Sequence, residues 1–204
     1  GREEIGVLTN VLASSIGSLT NPQRLANTFQ SSNNMKLSQF TISSYIDYLV
    51  DSFLIERAHR FDVKGRKYIG TPMKYYFVDV GLRNARLNFR QQEENHIMEN
   101  IIYNELLRRR YSVDVGVVIV NEKKDDKYVK KQLEVDFIAN KGDKRYYIQS
   151  AYEISDEEKM KQELQSFRNI DDSFRKIVIQ RTATKPWFNE QGVSAFVLCY
   201  RTAY

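Results

Sequence analysis

Apolar residues follow a helical spacing up to residue 53 of this chain and an alternating spacing directly after it. Three helices are predicted. The first and third have apolar stripes formed by Leu8, Leu12, Ile16 and Leu19, and by Ile42, Tyr45, Ile46, Leu49, Val50 and Phe53. The second begins at the capping pair Asn21-Pro22 and ends at about Phe29. Phe61 and Val63 then alternate with polar residues before a turn at Lys64-Gly65, and residues 66–69 and 74–78 are further extended runs. Three helices followed by a hairpin are typical of a winged helix-turn-helix domain, which we predict over residues 1–83.

Positive charge is concentrated on the predicted hairpin. The 204 residues carry 31 Lys and Arg and 26 Asp and Glu, a formal net charge of +5. Residues 1–90 hold 12 of the basic and 7 of the acidic side chains, and residues 57–74 alone hold six basic side chains against Asp62. This distribution predicts an anionic partner, and for a winged helix we expect DNA.

DNA contacts are expected on the third helix and on the hairpin, because a winged helix places its third helix in the major groove and its wing on phosphates. The candidates are Thr41, Ser43, Ser44 and Tyr48 on the helix, and Arg60, Lys64, Arg66 and Lys67 on the hairpin. The helix also presents Asp47 and Asp51 without any Lys or Arg. A protein-interaction role therefore stays open as an alternative.

Composition excludes several classes of protein. Hydrophobic residues make up 42% of the chain, which is too many for a wholly disordered protein. Cys199 is the only cysteine, so disulfide scaffolds and cysteine-based zinc sites are excluded. No apolar run approaches the roughly 18 residues of a membrane span, and the first residues resemble no signal peptide, so no membrane partner and a cytoplasmic location are expected.

Residues 84–204 form the second predicted domain, with the element order α-β-β-β-α-β-β around a mixed central sheet. Its helices are predicted at 96–110 and from a capping box at Ser155 and Glu158 to about Phe167. Its strands are predicted at 111–120, 133–138, 145–152, 176–180 and 195–200, with a charged turn over 121–131. The fold class is thus α+β or α/β.

Glu99 on the first of these helices, Asp136 on the second strand and Gln149 on the third resemble the PD-(D/E)XK nuclease pattern. In that fold a helix Glu, a strand Asp and a strand (Glu/Gln)-x-Lys converge on divalent cations. The resemblance implies a Mg²⁺ site at Glu99 and Asp136, with Glu134 as a further ligand, because phosphodiester hydrolysis needs hard oxygen ligands and an activated water.

The lysine of that pattern is missing, because its position is Ala151. Lys144, Lys159 or Lys161 would have to replace it, and nothing in the sequence shows that one does. We therefore expect a degenerate nuclease fold without confirmed catalytic residues, and an active metal-dependent endonuclease is the alternative.

Four segments together resemble one prokaryotic family: Lys74–Asn84, which looks like K-x-Y-F-x-D-x-G-L; Glu99–Leu106; Glu134–Phe137; and Tyr146–Gln149. They are similar to the C-terminal region of AAA+-type ATP-binding proteins, long catalogued as a domain of unknown function. This resemblance implies an ATPase module in the same polypeptide, which would bind ATP, and assembly into oligomers. The 204 residues contain no G-x-x-x-x-G-K-[ST] motif, so no ATP is expected to bind here. Apart from the Mg²⁺ that the nuclease resemblance implies, no cofactor is expected in this chain, and we expect a C-terminal fragment of a longer protein.

The remaining reactive residues have ordinary structural interpretations. His59 and His96 are expected at the surface or at a helix cap, since neither has a second histidine nearby to form a metal pair. Cys199 lies in an apolar strand and Trp187 beside a proline, so core packing and a loop cover are expected for them.

Overall fold

The computed structural model describes residues 1–33, 35–90, 93–124, 127–181 and 192–197. The helices in this part are α1 (Arg2–Ser14), α2 (Pro22–Asn33), α3 (Gln39–Asp51), α4 (Val80–Arg86), α5 (Glu94–Arg108) and α6 (Glu157–Glu163). The strands are β1 (Ile55–Asp62), β2 (Lys67–Phe77), β3 (Ser112–Lys124), β4 (Lys127–Lys141), β5 (Lys144–Ala151), β6 (Arg175–Gln180) and β7 (Val193–Val197). None of the helices in these residues is long and apolar enough to cross a membrane.

All seven strands belong to one sheet with the order β2-β1-β3-β4-β5-β6-β7. The β3–β4 and β4–β5 pairs are antiparallel, and the β1–β3, β5–β6 and β6–β7 pairs are parallel. The predicted mixed sheet and the α+β class are therefore confirmed. The sheet is larger than predicted, because β1 pairs with β3 through residues 60–62 and 115–117.

The chain divides into two compact units, and neither is continuous in sequence. The first unit comprises residues 1–59 and 70–104, and the second comprises residues 60–69 and 105–204. The tip of the β1–β2 hairpin thus belongs to the second unit. The boundary after residue 83 stays a prediction.

The first unit has a core built from the apolar faces of α1, α2 and α3. Its fully buried members include Leu8, Leu12, Ala13, Ile16, Leu25, Phe29, Ile42, Ile46, Ile55 and Phe77. The predicted start of α2 is confirmed, since the Asn21 side chain accepts a 2.8 Å hydrogen bond from the Arg24 amide. α1 ends at Ser14, before the predicted Leu19, because Gly17 turns the chain with a φ of +70°.

The second unit buries an apolar cluster on its sheet. The cluster contains Val63, Val118, Leu133, Val135, Ile138, Tyr147, Ala151, Leu164, Phe167, Ile170, Val178 and Val193. These residues come from the hairpin tip, from β3 to β7 and from the segment that follows α6. The cluster fixes the strands on which Asp136 and Gln149 lie.

Three predicted elements are corrected by the structure. The extended runs at 66–69 and 74–78 are one strand, β2, of 11 residues. Residues 121–124 and 127–131 of the predicted turn are strand, because β3 and β4 stay paired as far as Lys124 and Lys127. α6 is capped by Asp156, whose side chain accepts from the Lys159 amide, so the helix starts one position later than the predicted capping box and ends at Glu163. Trp187, Cys199 and residues 198–200 of the last predicted strand lie outside the described residues.

Candidate functional site

Glu99 lies in a buried polar cluster of the first unit. Its Oε1 accepts a hydrogen bond from the Lys74 ammonium at 2.8 Å and from the Tyr76 hydroxyl at 2.5 Å. Lys74, Tyr76 and Glu99 are exposed by only 3%, 0% and 8%. The ring of Tyr76 also stacks on Tyr103, with 4.4 Å between the centroids. The predicted metal ligand is therefore one half of a buried ion pair.

The other polar residues of the same motifs join β2 to α5. The Asn100 side chain accepts from the Phe77 amide at 2.9 Å and donates to the Phe77 carbonyl at 2.8 Å. Asn104 donates to the carbonyls of Phe77 and Val78. Asp79 caps α4 by accepting from the Leu82 amide. The signature segments thus supply hydrogen bonds that hold two elements together, a role that the sequence alone did not reveal.

A third ionisable group, His96, borders this cluster. Its Nδ1 lies 3.9 Å from Oε2 of Glu99, and a Cβ placed on Gly17 would lie 3.0 Å from that nitrogen. Burial by itself would raise the pKa of Glu99, but the ammonium of Lys74 outweighs it, with help from His96 and Tyr76, and holds the pKa below its ordinary value. The Glu99 carboxylate in turn raises the pKa of His96, against the opposing effect of burial. His96 is therefore more than the surface or capping residue that was predicted.

Asp136, Glu134 and Gln149 lie in the second unit, on β4 and β5. Oδ2 of Asp136 accepts a 2.7 Å hydrogen bond from the Ser150 amide, and the residue is 7% exposed. Glu134 is half-buried and lies two residues before Asp136 on β4. Oε1 of Gln149 is buried and has no hydrogen-bond partner in the described part of the chain.

Two more residues bear on this site. Burial raises the pKa of Glu163 on α6, although Lys159 and a hydrogen bond with Gln149 act in the opposite direction. Sequence patterns gave no sign that Glu163 would lie near Gln149. Ala151, at the position of the motif lysine, is 3% exposed within the apolar cluster. An ammonium group there would be buried among apolar side chains.

These donors fit a divalent cation poorly. Oε1 of Glu99 already serves an ammonium and a phenol, and a lysine charge beside it opposes a cation. In the residues that the structure describes, no group of three or more His, Cys, Asp or Glu side chains is placed to hold a metal. We therefore derive no step through Mg²⁺.

The predicted hairpin contacts fall into two groups. Arg60 is 5% exposed, and its guanidinium donates to Oε1 of Gln132 at 2.8 Å, so it is not the exposed phosphate contact that the sequence suggested. Lys64, Arg66 and Lys67 are exposed at the turn. Asp62 holds this turn by accepting from the Gly65 amide at 2.9 Å.

Lys64 and Arg66 line a groove of about 580 Å³ in the second unit. Lys144 and Arg145 from the β4–β5 turn line it as well, together with Asp143, Asp171 and Asp172. Arg145 lies over the rings of Phe61 and Phe174, with 5.7 Å and 5.4 Å to their centroids. Four cations thus surround one groove, and neither Lys144 nor Arg145 was predicted as a DNA contact.

Asp172, one of the acidic residues that line the groove, forms hydrogen bonds within the protein. Oδ2 of Asp172 accepts from the Tyr147 hydroxyl at 2.5 Å, and its Oδ1 accepts from the Phe174 amide. Burial and this carboxylate raise the pKa of Tyr147 to about 12. The Lys176 ammonium donates to the carbonyls of Ile170 and Asp172. These bonds fix the loop over residues 170–174.

The family models match both parts of the chain. Residues 2–93 match "Domain of unknown function (DUF8612)" and residues 94–200 match "Domain of unknown function (DUF4143)". The chain belongs to the DUF4143 family. It is 39% identical over 168 residues to an "Uncharacterized protein" of Haemophilus influenzae, across 82% of this chain and 38% of that protein. This DUF4143 chain therefore spans well under half the length of that relative.

Within this DUF4143 protein, the predicted contacts on α3 differ in exposure. Thr41 and Ser43 are half-buried, and Thr41 is bonded to the capping Ser38 at 2.9 Å between their hydroxyls. Ser44 and Tyr48 are exposed, with Tyr48 at 59%. Phe40, on the same face, is 76% exposed. This face is aromatic and carries no Lys or Arg.

Proposed function

We propose that the chain is the C-terminal part of an AAA+-type ATP-binding protein, in which it binds DNA without cleaving it. In this proposal residues 1–83 are a winged helix and residues 84–204 are a nuclease-like domain that has lost its catalytic site. ATP is bound and hydrolysed by a module outside these residues. The family resemblance supports this arrangement, and the share of the Haemophilus relative that the chain covers leaves room for such a module.

The observation that carries the DNA-binding part is the four-cation groove. Lys64, Arg66, Lys144 and Arg145 converge from two turns, and Asp172, one of the acidic groups facing them, already accepts two hydrogen bonds. Phosphate oxygens are the natural partners of such a cluster, because both ammonium and guanidinium groups bind them with charge-assisted hydrogen bonds. The proposal therefore moves the main contact from α3 to the hairpin turn.

The binding test compares two variants that lose the same charge. Lys64→Gln/Arg66→Gln removes the turn cations, and Arg108→Gln/Arg109→Gln removes two exposed cations that bond to Glu105 instead. With a fluorescent 20-base-pair duplex at low salt, we expect the turn variant to raise the Kd about tenfold and the control to change it less than threefold. Equal effects, or no binding by the unmodified chain, would contradict the proposal.

The loss of cleavage is supported by the Lys74–Glu99 ion pair and by Ala151. Both the helix carboxylate and the lysine of the nuclease pattern are unavailable for chemistry, because one is engaged and the other is replaced by a methyl group. We expect no nicking of supercoiled plasmid with Mg²⁺ or Mn²⁺. Metal-dependent nicking that disappears in Asp136→Ala would instead establish an endonuclease.

A second candidate function, an interaction arm for another protein, is favoured by the exposed face of α3. Phe40 and Tyr48 are exposed there by 76% and 59%, and Asp47 forms its ion pair with Arg57 at 2.5 Å. An aromatic, acidic face suits a protein partner better than a phosphate backbone. If α3 serves that role, Ser44→Ala/Tyr48→Ala leaves the DNA Kd unchanged, whereas insertion of α3 into the major groove predicts a clear loss of affinity.

A further inference from the structure

The β3–β4 hairpin continues beyond the apolar cluster as a two-stranded ribbon, here called the arm, formed by residues 121–124 and 127–132. Its strands stay in register, with Asn121 opposite Lys130, Glu122 opposite Val129 and Lys123 opposite Tyr128. The last buried pair below it is Val118 with Leu133, at 0% and 9% exposure. Every described side chain of the arm is exposed, including Tyr128 at 76%.

An arm of this kind adds nothing to the core. A two-stranded ribbon that packs against nothing is marginally stable, and its exposed edges invite unwanted pairing unless charges protect them. The arm is also long, because six residues of a strand extend about 20 Å. Its side chains are therefore best explained by what they contact outside the chain.

The two faces of the arm differ in chemistry. Residues that stand directly opposite each other share a face, and successive residues alternate between faces. One face carries Asn121, Lys123, Tyr128, Lys130 and Gln132, which offer ammonium, amide and phenol groups and no carboxylate. We call it the lysine face.

The opposite face differs from the lysine face by its carboxylate. It carries Glu122, Val129, Lys131 and Lys127, which is paired in register with Lys124, and the Lys131 ammonium lies 3.3 Å from Oε2 of Glu122. Among the described residues, the β4 side of the arm, residues 127–132, contains three lysines and no acidic residue. The two acidic residues next to it in sequence are Asp125 and Asp126, which lie outside the described residues.

We propose that the arm enters the major groove of duplex DNA with its lysine face toward the bases and phosphates. A two-stranded ribbon fits a groove about 12 Å wide and about 8.5 Å deep. Lysines spaced along both strands contact the two phosphate backbones, and the Asn121 amide can pair with an adenine edge, whereas the Gln132 amide oxygen already accepts from Arg60. The exposed ring of Tyr128 supplies an apolar surface for sugars or thymine methyl groups.

This inference shares its partner, DNA, with the proposed function, but it uses different residues. The proposed function rests on the groove formed by Lys64, Arg66, Lys144 and Arg145, none of which belongs to the arm. Either contact can therefore fail without the other. An acidic protein surface is the competing partner for the arm, and the experiment below distinguishes the two.

The test uses the full 204-residue chain and two variants that each remove two lysines of the arm. Lys123→Gln/Lys130→Gln changes the lysine face, and Lys127→Gln/Lys131→Gln changes the opposite face. Because all four side chains are exposed, both variants should melt within about 2 °C of the unmodified chain. Binding of a fluorescent 20-base-pair duplex is measured between 50 and 200 mM NaCl, with oligoglutamate as the second probe.

For the lysine-face variant we expect a Kd at least tenfold higher and a salt slope smaller by about two, which is the loss of two phosphate contacts. The opposite-face variant should change the Kd less than threefold. Equal losses in the two variants would show that only net charge matters and would overturn the proposal. An unchanged DNA affinity combined with weaker oligoglutamate binding would overturn it in favour of an acidic protein.

The turn variant Lys64→Gln/Arg66→Gln separates the two hypotheses. If the arm variant weakens binding and the turn variant does not, the arm stands and the proposed groove contact fails. If only the turn variant weakens binding, the arm fails and the groove contact stands. No binding of DNA by the unmodified chain would overturn both.

Discussion

The carboxylate of Glu99 takes part in two interactions that a divalent cation would have to displace. Lys74 and Tyr76 both donate to its Oε1, and all three side chains are buried. The nuclease pattern thus points to a metal ligand at a residue that the structure places in a buried ion pair. A single sequence cannot show that a lysine 25 residues earlier will neutralise the candidate ligand, because that pairing depends on how β2 packs against α5.

Removing one partner of this ion pair is predicted to lower the free energy of unfolding more than removing both partners does. Glu99→Gln leaves the Lys74 ammonium buried without a counter-charge, so we expect a loss of about 3–5 kcal/mol in the free energy of unfolding. Lys74→Met/Glu99→Gln should recover part of that loss. Urea denaturation of the single and double variants measures both values. A stability that rises in Glu99→Gln would mark an active-site carboxylate instead.

His96 is predicted to make stability depend on pH near neutrality. Its pKa is raised from 6.5 in the folded chain, so the folded state binds the proton more tightly than the unfolded state does. The resulting stabilisation is fully present below pH 6.5 and is lost as the pH rises through the folded pKa. Because the imidazole is 37% exposed, the effect should be small, on the order of 1–2 °C in Tm.

Thermal melts of the unmodified chain and of His96→Gln check this prediction. The difference in Tm should be largest at pH 5.5 and should vanish by pH 8.5. A difference that is constant across this range would show that His96 acts through packing alone.

At the scale of elements, apolar periodicity predicted the presence of helices and strands, but it did not predict where they end. α2 and α3 were predicted because their apolar stripes and the Asn21 cap of α2 are local features, whereas the Ser38 cap of α3 is seen only in the structure. The arm was missed because its strands carry charges on both faces, and a fully exposed strand has no alternation to detect. α6 is short because the chain turns after Glu163 to bury Leu164 and Phe167, which depends on the sheet beneath them.

The loop over residues 170–174 is predicted to depend on one side-chain bond from β5. Tyr147→Phe removes the hydroxyl that bonds to Asp172, and it leaves the carboxylate partly buried without that donor. We expect a loss of about 1–3 kcal/mol in the free energy of unfolding. We also expect weaker DNA binding, because Asp172 would be freed to oppose phosphates in the groove.

Tyr146→Phe provides a matched control for this change, since it removes a hydroxyl one residue earlier on the same strand. Denaturation and DNA-binding curves should show a larger loss of stability and of DNA affinity in Tyr147→Phe than in Tyr146→Phe. Identical losses in both would mean that the Asp172 bond does not position the loop.

At the scale of the whole molecule, the distribution of charge depends on the folded units rather than on position in the sequence. By sequence, the excess of positive charge lies in residues 1–90. By unit, residues 1–59 with 70–104 hold 8 basic and 9 acidic side chains, and residues 60–69 with 105–204 hold 23 and 17. The second unit thus has a net charge of +6, because the hairpin tip belongs to it.

Since the hairpin turn and the arm both belong to this basic unit, their contributions to DNA affinity are predicted to add. If each site contacts about two phosphates, each contributes about two to the slope of log K against log salt. The combined variant, Lys64→Gln and Arg66→Gln with Lys123→Gln and Lys130→Gln, should therefore lose about four from that slope. Its ΔΔG of binding should equal the sum of the ΔΔG values of the two double variants, because the sites use separate side chains. A combined effect no larger than that of one pair would mean that the two sites do not engage the same duplex at once.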